Sequence, residues 1–385
     1  MRGTRENYLK RLSVFIMILF IAFAQPIKAK AAGNVARIGS KNYKSLQTAM
    51  NAVKNGQTIK LLKNVKINSF MIDDSPVPKN TKNRNYTINL NKHKLIAQNK
   101  SGAGFPGVFV VKKGTVTIKN GILKGIISVE KKGTLNLSNI KFSGTGINVN
   151  TIQNSGKLTM NKVSGDLRVA GAKGSTSSLT KCKLTHTSNM LTGMGTINIK
   201  SGTYISKAKT NNPLIIMDGG GSLNIYGGTF TSPNSYIVDT HKTAVTIKGG
   251  SFTATNCAVL LLCGSSDRNA KVRISGGKFK TNQKNDPTTI TGTAVKLSDV
   301  EAVISGGSFV STTYLPDITE HVQSAGTVEL STGTLKITGG SFTGNSLSPI
   351  FIWAAAKDGA FTNTGGRLKT SCPDGTLVVD NRISN

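Results

Sequence analysis

One phrase recurs through the second half of this chain: "LNIYGGTFTS", "VTIKGGSFTA", "AKVRISGGKFKT", "AVISGGSFVS" and "LKITGGSFTG". A chain that repeats at intervals of roughly 20 to 50 residues builds a stacked array, because one repeat cannot bury its own apolar face. Superposed, the phrases share apolar residues at i and i+2, a small pair, and an apolar or aromatic residue five after the second anchor. The second anchors are Ile225, Ile247, Ile274, Ile304 and Ile337, and their partners are Phe230, Phe252, Phe279, Phe309 and Phe342. A weaker form precedes them: Leu90 with Leu95, Ile118 with Leu123, Leu137 with Phe142, Leu179 with Leu184, and Ile199 with Tyr204, while "KLTMNKVSG" around Met160 fits in part. Successive anchors lie 19 to 33 residues apart. A phosphate-cradling glycine loop would occur once, between a strand and a helix. These glycines recur five times and lead into a strand pattern, so they are read as structural.

Before several anchors stands a second strand pattern and a polar turn, as in "SYIVDTHKTAVTI" and "GTVELSTGTLKI". Each period therefore holds at least two strands and no helix. Strands repeating at this period without crossover helices pair in parallel only by coiling, with one turn about 4.8 Å above the last. The expected fold is all-β, a parallel β-helix filled by a column of Ile and Leu and a column of Phe and Tyr. The glycine pairs take the corner, where positive φ or the absence of a side chain is needed.

Ahead of the repeats, "KSLQTAMNAVKNGQTIKLLKNV" puts Leu46, Ala49, Met50 and Val53 at helical spacing, closes with Asn55-Gly56, and enters a strand at Ile59 and Leu61. Such a helix would cover the open end of the solenoid. With this cap, "SLQTAMNAVKNGQTIKLL", and the "I-x-G-G-x-F" repeats, the chain resembles the pectin-lyase-like, right-handed parallel β-helix proteins exported by bacteria. The resemblance covers roughly residues 36 to 345 and implies the right-handed coil with an N-terminal capping helix. It does not choose an activity, since that family holds polysaccharide-cleaving enzymes and non-catalytic surface proteins alike.

The opening 31 residues carry Arg2, Arg5, Lys10 and Arg11, then the uncharged run Leu12 to Ala24, then the small-residue site Ala29-Lys30-Ala31. This is the layout of a secretory signal peptide. The expected organisation is a signal peptide over 1–31, an N-terminal cap over 32–80, β-helix turns over 81–345, and a last turn with its cap over 346–385. No transmembrane anchor is expected after the signal is removed, which makes the protein secreted, with retention at the bacterial cell surface as a further option. A monomer is expected. Cys182, Cys257, Cys263 and Cys372 are too few and too irregular for a disulfide framework. A Cys257–Cys263 closure is open, with buried free thiols the alternative.

Chemistry is thinly represented. Hydrolysis of a glycosidic bond needs converging carboxylates, and a calcium-dependent lyase needs a carboxylate cage and a base. Asp73-Asp74 reads as a loop, and Asp218, Asp239 and Asp299 read as turn residues. His93, His186, His241 and His321 lack metal-ligand spacing, and His241 is notable only for Asp239 two residues before it and Lys242 after it. No catalytic residue, metal site or cofactor is assigned. Trp353 is read as core or end-cap material.

Charge is the positive signal. The formal net charge of +32 falls to +27 once residues 1–31 are removed, since they hold six basic side chains and one acidic one. Outward positions beside the anchors carry Lys119, Lys200, Lys248, Arg273 and Lys336, which form the expected polyanion-binding ladder, and Lys141, Lys183 and Lys278 share another slot. The competing account is a solvated surface that suppresses aggregation. Expected partners are an acidic polysaccharide, a cell-wall polymer or a host surface glycan. Sequence-specific nucleic-acid recognition is not expected, with 6% aromatic residues and no recognition-helix motif. The function expected is a non-catalytic, adhesin-like β-helix protein that binds acidic polymers or host surfaces. The alternative is a polysaccharide lyase acting on an acidic glycan.

Overall fold

Three short strands and three corners make one turn of the chain, as in Ile215–Asp218, Ser222–Ile225 and Thr229–Ser232, followed by Val238–His241, Ala244–Ile247 and Ser251–Thr255. Each strand pairs in parallel with its counterpart one turn later, which makes three faces, here called first, second and third. The computed structural model describes residues 33–69, 71, 77–98, 106–145, 149–255, 257–265, 270–282, 292–312, 326–344, 348–357, 359–371, 376–380 and 382. The expected leader over 1–31, Asp73, Asp74, His321 and Cys372 lie outside these residues. Val35–Asn385 gather into one unit. The fold is a right-handed parallel β-helix with an N-terminal helix. No helix among the described residues is long and apolar enough to cross a membrane.

Alternation along each strand turns every second side chain inward. On the second face the register aligns Ile59, Ile88, Ile118, Leu137, Met160, Leu179, Ile199, Ile225, Ile247, Ile274, Ile304 and Ile337 in one buried column. Two sequence readings change here. Met160 belongs fully to the column. The anchor expected at Leu90 is instead Ile88, because this turn carries extra corner residues, Asn91 and Lys92, both at positive φ. Leu95 nonetheless pairs with Leu123 on the third face, as the template requires.

The aromatic column stands on the third face. Tyr204, Phe230, Phe252, Phe279, Phe309 and Phe342 stack with ring centroids 4.6 to 4.9 Å apart and nearly parallel planes. The column breaks at the Met160 turn, where Gly165 occupies the aromatic slot and pairs with Leu184. A Cβ on Gly250 would lie 3.1 Å from Phe252 Cε2, so the ring reaches back and fills the corner above a residue without a side chain. Glycine and phenylalanine are therefore two halves of one packing solution.

The helix Leu46–Ala52 begins at Ser45, whose side chain accepts from the Thr48 N–H, and it buries Leu46, Ala49 and Met50. Its unsatisfied C-terminal carbonyls are met by one side chain: the Arg84 guanidinium donates to Met50 O at 2.9 Å, to Asn51 O at 3.2 Å, and to Val53 O. Beside the helix, Ala36–Ile38 pairs antiparallel with both Lys41–Tyr43 and Thr58–Leu61, so the first edge of the coil is covered. Trp353 is 36% exposed and meets Phe351 edge-on at 5.1 Å, so it is not core material. Cys182 and Cys257 are buried free thiols, and Cys263 is a partly exposed one.

The corners differ in tolerance. Between the second and third faces the connection is three residues long in every Gly-Gly turn from Ile225–Thr229 to Ile337–Ser341. Between the third face and the next first face it runs from one residue, Gly125 or Leu167, to fourteen, after Ser311. The longest connections thus fall at this corner, although the connection between the first and second faces also varies, from one residue after Ser298 to eight after Ile352.

A candidate anion-binding corner

The corner between the second and third faces has two forms. In the later turns its last two residues are Gly-Gly. In the earlier turns the left-handed position is held by Asn120, Asn139, Lys162 and Lys181, with φ between 52° and 59°. Asparagine is the non-glycine residue best suited to this conformation, because its short amide bonds locally. Asn139 Nδ2 donates to Asn120 Oδ1 at 3.1 Å, so two such corners lock together. Around them opens a groove of about 580 Å³ lined by Lys92, Lys141, Lys162, Asn91, Asn120 and Asn139, with Ile122 and Ile140 among its walls.

Lysines follow this corner turn by turn. Lys92, Lys119, Lys141, Lys162, Lys181 and Lys200 fall on six consecutive turns, in columns that straddle the corner. Five rises of about 4.8 Å make this run roughly 24 Å long. Between residues 85 and 206 the sequence has two acidic residues, Glu130 and Asp166. Glu130 pairs with Lys112 at 3.3 Å on the first face, and Asp166 is buried, so neither neutralises the corner.

The ladder residues expected from the sequence are distributed differently. Nine pairings separate Lys119 from Lys336, and the five residues occupy two columns rather than one. Lys119, Lys200 and Lys248 follow the anchor, while Arg273 and Lys336 stand between the anchors. Lys200 and Lys248 flank Tyr226 in their column, and the Lys248 ammonium sits 5.6 Å from its ring centroid. Lys141 and Lys183 are two turns apart with Ser164 between, and Lys278 is far along the same column. Lys119 and Lys200 join the corner run; Lys248, Arg273 and Lys336 do not.

A second cluster, unnoticed in the sequence, lies on the outward side of the first face. Asp239, Leu261, Lys296, Glu329 and Phe351 succeed one another on consecutive turns. The sequence pattern makes Asp239 a turn residue, but it sits within Val238–His241 with its side chain only 14% exposed. Burial raises its carboxyl above the usual range, with His241 opposing and Asp218 adding. Its Oδ1 lies 3.6 Å from His241 Nε2, beyond hydrogen-bond length. Burial likewise raises Glu329, with Lys296 opposing, and pushes the Tyr236 phenol up to about 12 and the Cys257 thiol up to about 11. A signal existed in the sequence: "IVDT", "VKLS" and "VELS" put Asp239, Lys296 and Glu329 in one slot of the repeat.

Inside the third corner, His186 Nδ1 and Asp166 Oδ1 are 2.6 Å apart, and both side chains are buried. With the imidazole fully covered, this pair is part of the interior and not a site open to substrate. Among the described residues no group of three His, Cys, Asp or Glu is placed to hold a metal. No protein-family model matches the chain, and no curated protein or solved structure matches it.

Proposed function

We propose that this is a secreted, non-catalytic β-helix protein that binds linear acidic polymers along the lysine-lined corner of its earlier turns. The observation that carries the reading is the run of one lysine per turn from Lys92 to Lys200 along the corner, of which Lys92, Lys141 and Lys162 line a groove with no carboxylate in its lining. Regular cations on a rigid scaffold suit a polyanion, whose bound counterions are released as it docks. A solvated surface needs no such alignment. The pectin-lyase-like resemblance enters as a likeness of architecture and export, with the polymer class left to the groove.

Binding to immobilised heparin, polygalacturonate and polyphosphate, measured against salt, tests this. Changing Lys92, Lys141 and Lys162 to glutamate should weaken binding and lower the log–log salt slope by about 2 to 3. Changing Lys200, Lys248 and Arg273 to glutamate shifts net charge equally but touches the groove run only at its end, so it should matter less. Equal losses in both triples would reduce the interaction to net charge, and no loss in either would sink polyanion binding. A sustained rise in the absorbance of unsaturated sugar products would instead favour the lyase alternative.

A further inference from the structure

We propose that Lys296 and Glu329 become joined by an amide bond, formed by the folded protein itself, that staples two adjacent turns together. The two residues are direct register partners on neighbouring first-face strands, with Lys296 Nζ 3.6 Å from Glu329 Oε2. Their column neighbours are apolar: Leu261 stands one turn before Lys296, and the fully buried Phe351 one turn after Glu329. The Glu329 side chain is 4% exposed although it points away from the core, and Gly326–Leu330 is buried on both faces. An ion pair in such surroundings loses much of its attraction to the desolvation of both charges. Passing one proton from the ammonium to the carboxylate leaves an amine beside a carboxylic acid, and burial favours that neutral acid.

The remaining contacts fall where a condensation needs them. Thr293 Oγ1 and the Gly326 N–H, at 3.4 Å, both donate to Oε1, while the amine approaches from the side of Oε2. Attack of the Nζ lone pair on Cδ moves the carbonyl electrons onto Oε1, where the two donors stabilise the developing charge. A proton from nitrogen passes to Oε2, the Cδ–Oε2 bond breaks, and water departs as the carbonyl re-forms. One amine and one acid yield one amide and one water, with no oxidant or cofactor. Fixed proximity supplies the drive, since well-oriented intramolecular partners reach effective molarities of about 10⁵–10⁸ M. The cross-link would hold together two turns that are each entered through a long third corner, of twelve and fourteen residues.

The intact mass of the folded protein and a tryptic map decide the matter. The expected mass is one water below that of the chain, with a branched peptide joining the Lys296 and Glu329 segments. The peptide ending at Lys296 should fall to less than roughly half its yield from the Glu329→Ala variant. Lys296→Arg retains the positive charge but cannot form the amide, so it should restore the full mass while remaining folded. A full wild-type mass, or a Lys296-terminated peptide above that half-yield, overturns the proposal and leaves an ordinary ion pair; neither result bears on the polyanion corner.

Discussion

Replacing Phe252 with alanine tests the packing logic of the solenoid at its centre. Phe252 is fully buried and stacks on Phe230 at 4.6 Å and on Phe279 at 4.7 Å. Truncating a buried phenylalanine costs about 3–5 kcal/mol, and the two lost ring contacts, each about 0.5–1.5 kcal/mol, push this site toward the top of that range. The sharper test adds Gly250→Ala. Gly250 has φ +118°, and its added methyl would meet Phe252 Cε2 at 3.1 Å and Gly228 O at 3.2 Å. The backbone strain and the carbonyl contact persist in any background, but the ring contact vanishes once Phe252 is alanine. The double variant should therefore be less destabilised than the sum of the singles, by about 1 kcal/mol. Urea unfolding followed by circular dichroism supplies the energies, and hydrogen exchange should show the damage confined to Thr229–Ser232, Ser251–Thr255 and Lys278–Asn282, because each turn contacts chiefly its neighbours. If the two changes add to within about 0.3 kcal/mol, the ring does not fill the glycine corner. If Phe252→Ala costs no more than the partly exposed Thr253→Ala, the register itself is wrong.

Asp239 supplies a pH test. Its folded carboxyl is raised by burial, so its contribution to stability is fully present below the unfolded value of about 3.9 and is lost as pH rises through the folded value. Asp239→Asn should thus gain on the wild type as pH rises from about 4 toward 7 in paired urea titrations; a difference independent of pH, or one of the opposite sign, contradicts the assignment. At the N-terminal end, Arg84→Ala strips the donor from three helix carbonyls and should cost about 1.5–3 kcal/mol of local stability. Hydrogen exchange should quicken in Leu46–Ala52 and stay unchanged in Ala244–Ile247, and equal protection of Leu46–Ala52 in the variant and the wild type would show that the helix is held by its apolar face alone.

The coil was legible from one property of the chain, the recurrence of Ile-x-Gly-Gly-x-Phe at a period that no single domain core produces. The inward columns follow from that recurrence because strand alternation is local, as does the cap, because Ser45 and the spacing of Leu46, Ala49 and Met50 are local too. Where local spacing slips, sequence reading slips with it: Leu90 matched the template, yet two added corner residues gave the column place to Ile88. Lateral neighbours were a tertiary decision. Which lysines share a corner, and that Lys296 meets Glu329 thirty-three residues later, depends on connections at the third corner that range from one to fourteen residues and erase any fixed interval. Burial was likewise decided in three dimensions, since Asp239 and Glu329 are polar residues at outward positions and only the packed first face removes them from water.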